Sequence, residues 1–217
     1  MLQGWIVPTA ESILSWATAV SNDWRWLAIS WHVAFGALLI ALVSGKRPSA
    51  RLLAYALVLP VMSVSVVAWL SGNPFNGLVF AILSLLLLRA AVQLAPTAVT
   101  RGSSGSVLAG TGLMAFGLAY PHFVSTSTWT AYLYAAPFGL LPCPTLSLVI
   151  GATLFFRGLH AGRWSVPLVA AGVLYGVIGV FTLRVSLDVW LLAGAILLGG
   201  MVARDQRRAR EIIQRSA

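Results

Sequence analysis

WRWLAISWHVAFGALLIALVSGKRPSAR, residues 24–51, decides the fold. From Trp24 to Ser44 the only charge is Arg25, and the run is close to the roughly 20 apolar residues that cross a hydrocarbon core. GKRPSAR then supplies glycine, proline and basic side chains, the composition of a loop lying at headgroups. A membrane helix followed by its basic turn is the expected unit. Asn22 and Asp23, just before the run, offer N-cap side chains.

The same alternation recurs along the chain. Further spans are expected at about 52–70, with Pro60 inside, 78–94, 106–121, 141–156, 166–183 and 187–203. Pro8 to Val20 sets Ile13, Leu14, Trp16, Ala17 and Val20 at helical spacing among polar residues, predicting an interfacial helix over 8–20. The N-terminus lacks a basic region ahead of a short apolar core, so it does not read as a cleaved signal peptide. The expected fold is therefore an all-α integral membrane bundle of seven spans in one domain, 1–203, with a basic tail at 204–217 that is expected to be helical.

Composition agrees. The 217 residues are 59% hydrophobic and 9% charged, with mean hydropathy +0.89, whereas soluble domains carry roughly 25% charged residues. A net charge of +9 would suit nucleic acid only if it gathered on a soluble face; here it sits in short breaks between apolar runs, so no nucleic-acid partner is expected. With seven spans, all of the 14 Lys and Arg residues except Arg25 and Arg184 fall on one side. The positive-inside rule makes that side cytoplasmic, with the N-terminus outside. Trp5, Trp16, Trp24, Trp26, Trp69, Trp129 and Trp190 then mark the outer interface, and Trp164 the inner. The lipid bilayer is the first partner, and the tail is expected to meet anionic headgroups. Gly172 with Gly176, and Gly194 with Gly199, predict close helix packing or homo-oligomerisation.

Few catalytic templates survive. The only lysine, Lys46, is in a loop, so a retinal Schiff base in the last span is excluded. Glu11, Asp23, Asp188, Asp205 and Glu211 all read as terminal, interfacial or in the tail, which disfavours a carboxylate proton pump. HExxH, Walker and GxSxG motifs are absent, and the reading leans away from an enzyme. The single cysteine, Cys143, excludes an internal disulfide and a cysteine-only metal site.

The remaining signal concentrates in AYPHFVSTSTWTAYLYAAPFGLLPCPTLS, residues 119–147. His122 and Cys143 lie there, and His32 falls in the outer half of the first span. If they converge, they offer a soft metal one thiolate and two imidazoles, or a haem iron two histidines; the alternative is histidines hydrogen-bonded between helices and an inert buried thiol. Trp129, Tyr132, Tyr134 and Thr145, with neighbouring hydroxyls, either line an outward pocket for a polar or anionic small molecule or anchor an interfacial helix. Pro142 and Pro144 fit the first turn of a helix rather than a break. Arg184 and Asp188, four apart, read as a local ion pair, with substrate contact as the other role for Arg184.

YAAPFGLLPCPTLSLVIGATLFF, with YPHF upstream, resembles the uncharacterised bacterial multi-pass membrane family known as domain of unknown function 6064. Phe138, Gly139, Pro142, Pro144, Thr145 and Gly151 match its aromatic–glycine, Pro-x-Pro-Thr and early-glycine pattern; Cys143 stands where that pattern often has aspartate. The resemblance implies a bacterial inner-membrane protein and a structural turn at Gly139, Pro142 and Pro144. The leading expectation is small-solute binding or transport at a polar site in the outer half. The runner-up is an accessory or scaffold subunit of a membrane complex, and the third a haem- or metal-dependent redox protein.

Overall fold

The computed structural model describes residues 9–216, and within them the regular elements are all helices, joined by loops. Trp5 and the Pro8 start of the expected interfacial helix lie outside that range. The helices are α1 Ala10–Asp23, α2 Arg25–Val43, α3 Ala50–Leu70, α4 Pro74–Gln93, α5 Ser104–Leu118, the single turn α6 Tyr132–Ala135, α7 Pro142–Phe155, α8 Gly162–Val177 and α9 Val189–Ser216. A π-helical segment, Ile178–Thr182, prolongs α8, and a 3-10 turn, Ser186–Asp188, opens into α9.

Local chemistry sets most starts. Thr9, Ser49, Asn73 and Ser103 each turn a side-chain oxygen to an orphan backbone N–H of the helix that follows. Pro142 opens α7 as its first residue, where the missing N–H costs no helical bond. α2 differs from expectation. Its cap, Trp24, gives no side-chain bond, because Asn22 instead donates to Phe123 O and accepts from Ser125 N, tying α1 to the loop after α5.

Five segments are long and apolar enough to cross a membrane: Arg25–Val43, Ala50–Leu70, Pro74–Gln93, Gly162–Thr182 and Ser186–Arg208. Their exposed side chains include Val33, Ile40, Leu52, Leu85 and Ile196, a surface suited to lipid rather than water. The other two apolar helices are shorter. α5 has 15 residues and α7 has 14, about 22 Å of helix against a hydrocarbon core of about 30 Å.

α7 is the axis of the bundle: every residue in it is buried except Cys143 and Phe155. Its closest neighbour is α5, and glycine makes the approach possible. A Cβ on Gly151 would lie 2.7 Å from Gly110 O, and one on Gly117 would lie 2.6 Å from Pro144 O. On the opposite flank Gly172 of α8 accepts Ile150 and Ala195, while Gly176 meets the backbone of Leu192. The glycine pairs in α8 and α9 thus pack inside the molecule.

The two ends of the bundle differ. At one, the loops carrying Lys46, Arg47, Arg101 and Arg157 are stitched together by Ala50 N to Thr97 O, Val99 N to Pro48 O, Gly102 N to Phe155 O and Arg157 N to Thr100 O, all 2.9–3.0 Å. This is the basic end, from which α9 runs on into the tail. At the other, α1 lies across the helix ends, its Ala17 and Val20 packed with Val67, Leu140 and Leu141, and Trp16 Nε1 donating to Ser71 O at 2.8 Å.

Candidate functional site

Among the described residues a triplet of reactive side chains lies at the end opposite the basic loops, with Tyr120 and Asp188 buried and Cys143 half-buried. α5 stops at Leu118 and the chain turns so that Tyr120, fully buried, faces inward. Cys143 occupies the second position of α7, and Asp188 ends the 3-10 turn before α9. The Tyr120 hydroxyl donates to Asp188 Oδ1 at 2.8 Å, and the Cys143 thiol donates to Oδ2 at 3.3 Å. Asp188 is only 1% exposed, so these two neutral donors replace water around its carboxylate.

Gly179 admits the carboxylate. A Cβ there would fall 1.9 Å from Asp188 Oδ2, so the π-helical end of α8 approaches only because it presents glycine. π segments inside α-helices are frequent at functional sites. Beyond it, the Tyr175 hydroxyl donates to Asn76 Oδ1 at 2.8 Å, extending buried polar contacts from α8 to α4. Two non-glycine residues take left-handed backbone beside the triplet: Phe123, φ 72°, stacks on Tyr120, and Arg184, φ 56°, precedes the Asp188 turn. Such conformations cost of order 1–3 kcal/mol each and gather at sites the surrounding structure holds in place.

Asp188 corrects two sequence expectations. It is not an interfacial side chain, and the ion pair with Arg184 does not form: Arg184 is exposed and the carboxylate interacts with Tyr120 and Cys143. The left-handed turn at Arg184 carries its side chain away from the helical register that four-residue spacing presumes. Tyr120 and Asp188 were legible in one respect only, since with Cys143 they fall at the same outer level of three expected spans.

The metal-site expectation meets a different geometry. Among the described residues no three His, Cys, Asp or Glu side chains group to hold a metal ion. His32 Nδ1 lies 2.8 Å from Ala28 O and Nε2 2.8 Å from Leu118 O, so both nitrogens face carbonyls instead of a metal or haem iron. His122 is exposed in the loop, edge-on to Phe123 at 4.2 Å, and desolvation there holds its imidazole below the usual range.

The aromatic stretch also faces outward. Trp129 and Tyr134 are exposed, Tyr132 donates to Val124 O, and Thr126 bonds the backbone of Thr128. Thr145 is buried and spent, accepting from Gly139 N at 2.9 Å and donating to Leu141 O at 2.7 Å. It locks the turn in which Gly139, φ 77°, passes under the Trp31 ring. The start of α7 is covered as well, as every residue from Ala135 to Pro142 is buried, so it does not open onto a pocket for an anionic molecule.

His32 joins α2 to α5, and its loss is predictable. With the ring proton assigned to Nε2, His32→Phe keeps an aromatic ring against Phe138 but leaves Leu118 O without a donor, an expected cost of about 1–3 kcal/mol. Thermal melting in detergent should fall accordingly, with faster hydrogen exchange along α2. His32→Gln, which can still donate, should lose less.

Searches against protein-family models, curated proteins and solved structures find no match to this chain.

Proposed function

We propose that the chain is a seven-span bacterial inner-membrane protein, its basic end cytoplasmic and its N-terminus outside, that binds a small cationic solute in exchange for a proton at Asp188 and carries it across the membrane. The reading rests on one observation: a carboxylate 1% exposed, at the end of the bundle opposite the basic loops, held by Tyr120 and Cys143 and, among the described residues, by no basic side chain. Ionisable groups in such places mark ion and proton paths. A proton or a monovalent cation neutralises the carboxylate equally well, so each excludes the other.

The neighbouring structure supports exchange. The π segment and the two left-handed residues provide irregular backbone beside the carboxylate, where a small rotation changes access. Seven spans are supported by the way α5 and α7 are continued at the outer end, by Ala119–Tyr120 and by the buried segment from Ala135 to Leu141. The charge asymmetry between the ends supports the orientation. The resemblance to domain of unknown function 6064 over residues 119–156 belongs to this same proposal.

Proteoliposomes loaded with a pH dye and made acid inside test it. External sodium, potassium or methylammonium should release internal protons through the wild-type protein, and Asp188→Asn should reduce release to the background of empty vesicles. No release with any of the three cations, or full release by folded Asp188→Asn, would overturn the reading. A stoichiometric protein partner co-purifying with an inactive chain would replace it by the accessory-subunit reading.

A further inference from the structure

We propose that the cleft between α2 and the rest of the bundle is a binding site for one anionic membrane lipid, its acyl chain between α2 and α5–α7 and its phosphate held by Lys46, Arg47 and Arg101. The inference needs neither the transport reading nor the state of Asp188.

It starts from how α2 is attached. Its buried residues are Ala28 and Phe35 alone. The polar ties, Trp31 Nε1 to Ser63 Oγ at 3.0 Å and His32 to Leu118 O, belong to the same outer half, and Phe35 packs edge-on against Phe138 at 5.9 Å. Towards the basic end the helix stands off. Leu38 and Leu42 face a cleft of about 580 Å³, with Leu57 of α3, Met114 of α5 and Phe155 of α7 across it. That volume is within the roughly 300–1,000 Å³ of small-molecule sites. Side chains of this kind offer nothing to a polar solute and suit a hydrocarbon chain.

The mouth is chemically opposite. Lys46 and Arg47, from the turn after α2, and Arg101, from the loop before α5, line it together with Thr100, and no acidic side chain does. Their backbone is fixed, because the loops bearing them are the hydrogen-bonded set at the basic end: Val99 N to Pro48 O, Arg157 N to Thr100 O, and Gly102 N to Phe155 O. An apolar slot ending in three cations on ordered loops matches an amphiphile with a long chain and an anionic head. Neither half alone suffices, which separates this lipid from those covering Val33 and Ile40 on the outer surface of α2. The nearby groove between α4 and α8 is a weaker candidate, since Arg163 there already donates to Gln93.

The test uses the full chain in mild detergent and native mass spectrometry. It is offered phosphatidylglycerol, phosphatidylcholine with the same acyl chains, or glycerol 3-phosphate. One phosphatidylglycerol should be retained in preference to phosphatidylcholine. At about fivefold for each basic side chain near the surface, three amount to a preference of about a hundredfold. Glycerol 3-phosphate, which lacks the chain, should not compete at equal concentration.

K46Q/R47Q/R101Q should abolish the preference, and Thr111→Trp, which fills the slot from α5, should displace the lipid with the cations intact. R204Q/R207Q/R208Q, on the exposed continuation of α9 and outside the cleft, should weaken only the loose headgroup contacts of the tail and leave the preference of the one retained lipid unchanged. Equal retention of the two lipids, equal competition by glycerol 3-phosphate, or loss of preference only in the tail variant would overturn the proposal. Because Thr111→Trp spares the cationic loops, a triple variant that fails to fold still leaves the slot tested.

Discussion

Gly151→Ala and Gly110→Ala are each expected to destabilise the protein by about 3 kcal/mol, the upper end of overpacking costs, although each adds one methyl group to a helix. At Gly151 the new Cβ would lie 2.7 Å from both Gly110 O and Met114 N; at Gly110 it would lie 2.6 Å from Gly151 O and 2.8 Å from Phe155 N. These are backbone atoms, which have no rotamer to change. Relief requires α5 and α7 to separate, and α7 cannot move freely because α8 and α9 close its other side, with Ile150 seated on Gly172. Gly112→Ala in α5 is the control. Nothing lies within 4 Å of its Cβ position, so only the helix preference of alanine over glycine remains, about 1 kcal/mol in the stabilising direction. Thermal unfolding in one detergent reads all three. Equal effects at positions 110 and 112 would show that α5 and α7 are not in backbone contact.

This contact also shows what the sequence could and could not reveal. The long apolar runs are self-announcing, because a helix facing lipid on most of its surface must be apolar on most of its surface; α2, α3, α4, α8 and α9 follow from residue type and length. The glycines at 110 and 151 lie 41 residues apart on different helices and form no local motif, so their pairing exists only in three dimensions. The first-turn prolines of α7 were legible because proline acts through its own backbone.

The site was legible in part. Cys143 stood out by composition, but its partner did not, since Asp188 sits four residues from Arg184 and local spacing favoured an ion pair. The outcome turned on Gly179 and on the left-handed backbone at Arg184, which no periodicity encodes. His32 marked a real polar contact, with a carbonyl as its partner rather than a metal.

Tyr120→Phe is expected to cost about 1–3 kcal/mol and to cost more than Cys143→Ala. Both substitutions strip one donor from the same carboxylate, which at 1% exposure is out of reach of bulk solvent. The phenolic hydroxyl at 2.8 Å is the stronger bond, whereas a thiol at 3.3 Å is a weak donor whose loss is mainly a loss of packing. Combining Tyr120→Phe with Asp188→Asn should cost less than the two single changes added together, because the second change removes the acceptor that the first leaves unsatisfied. Residues sharing a buried hydrogen bond couple in this way by about 0.5–3 kcal/mol. Gly179→Ala should behave differently: its Cβ displaces the carboxylate without removing a partner, so it should perturb both the Tyr120 and Cys143 variants and exceed either alone. Additive losses for Tyr120→Phe and Asp188→Asn would show that the two side chains do not meet, and would remove the physical basis for placing proton and cation exchange at this carboxylate.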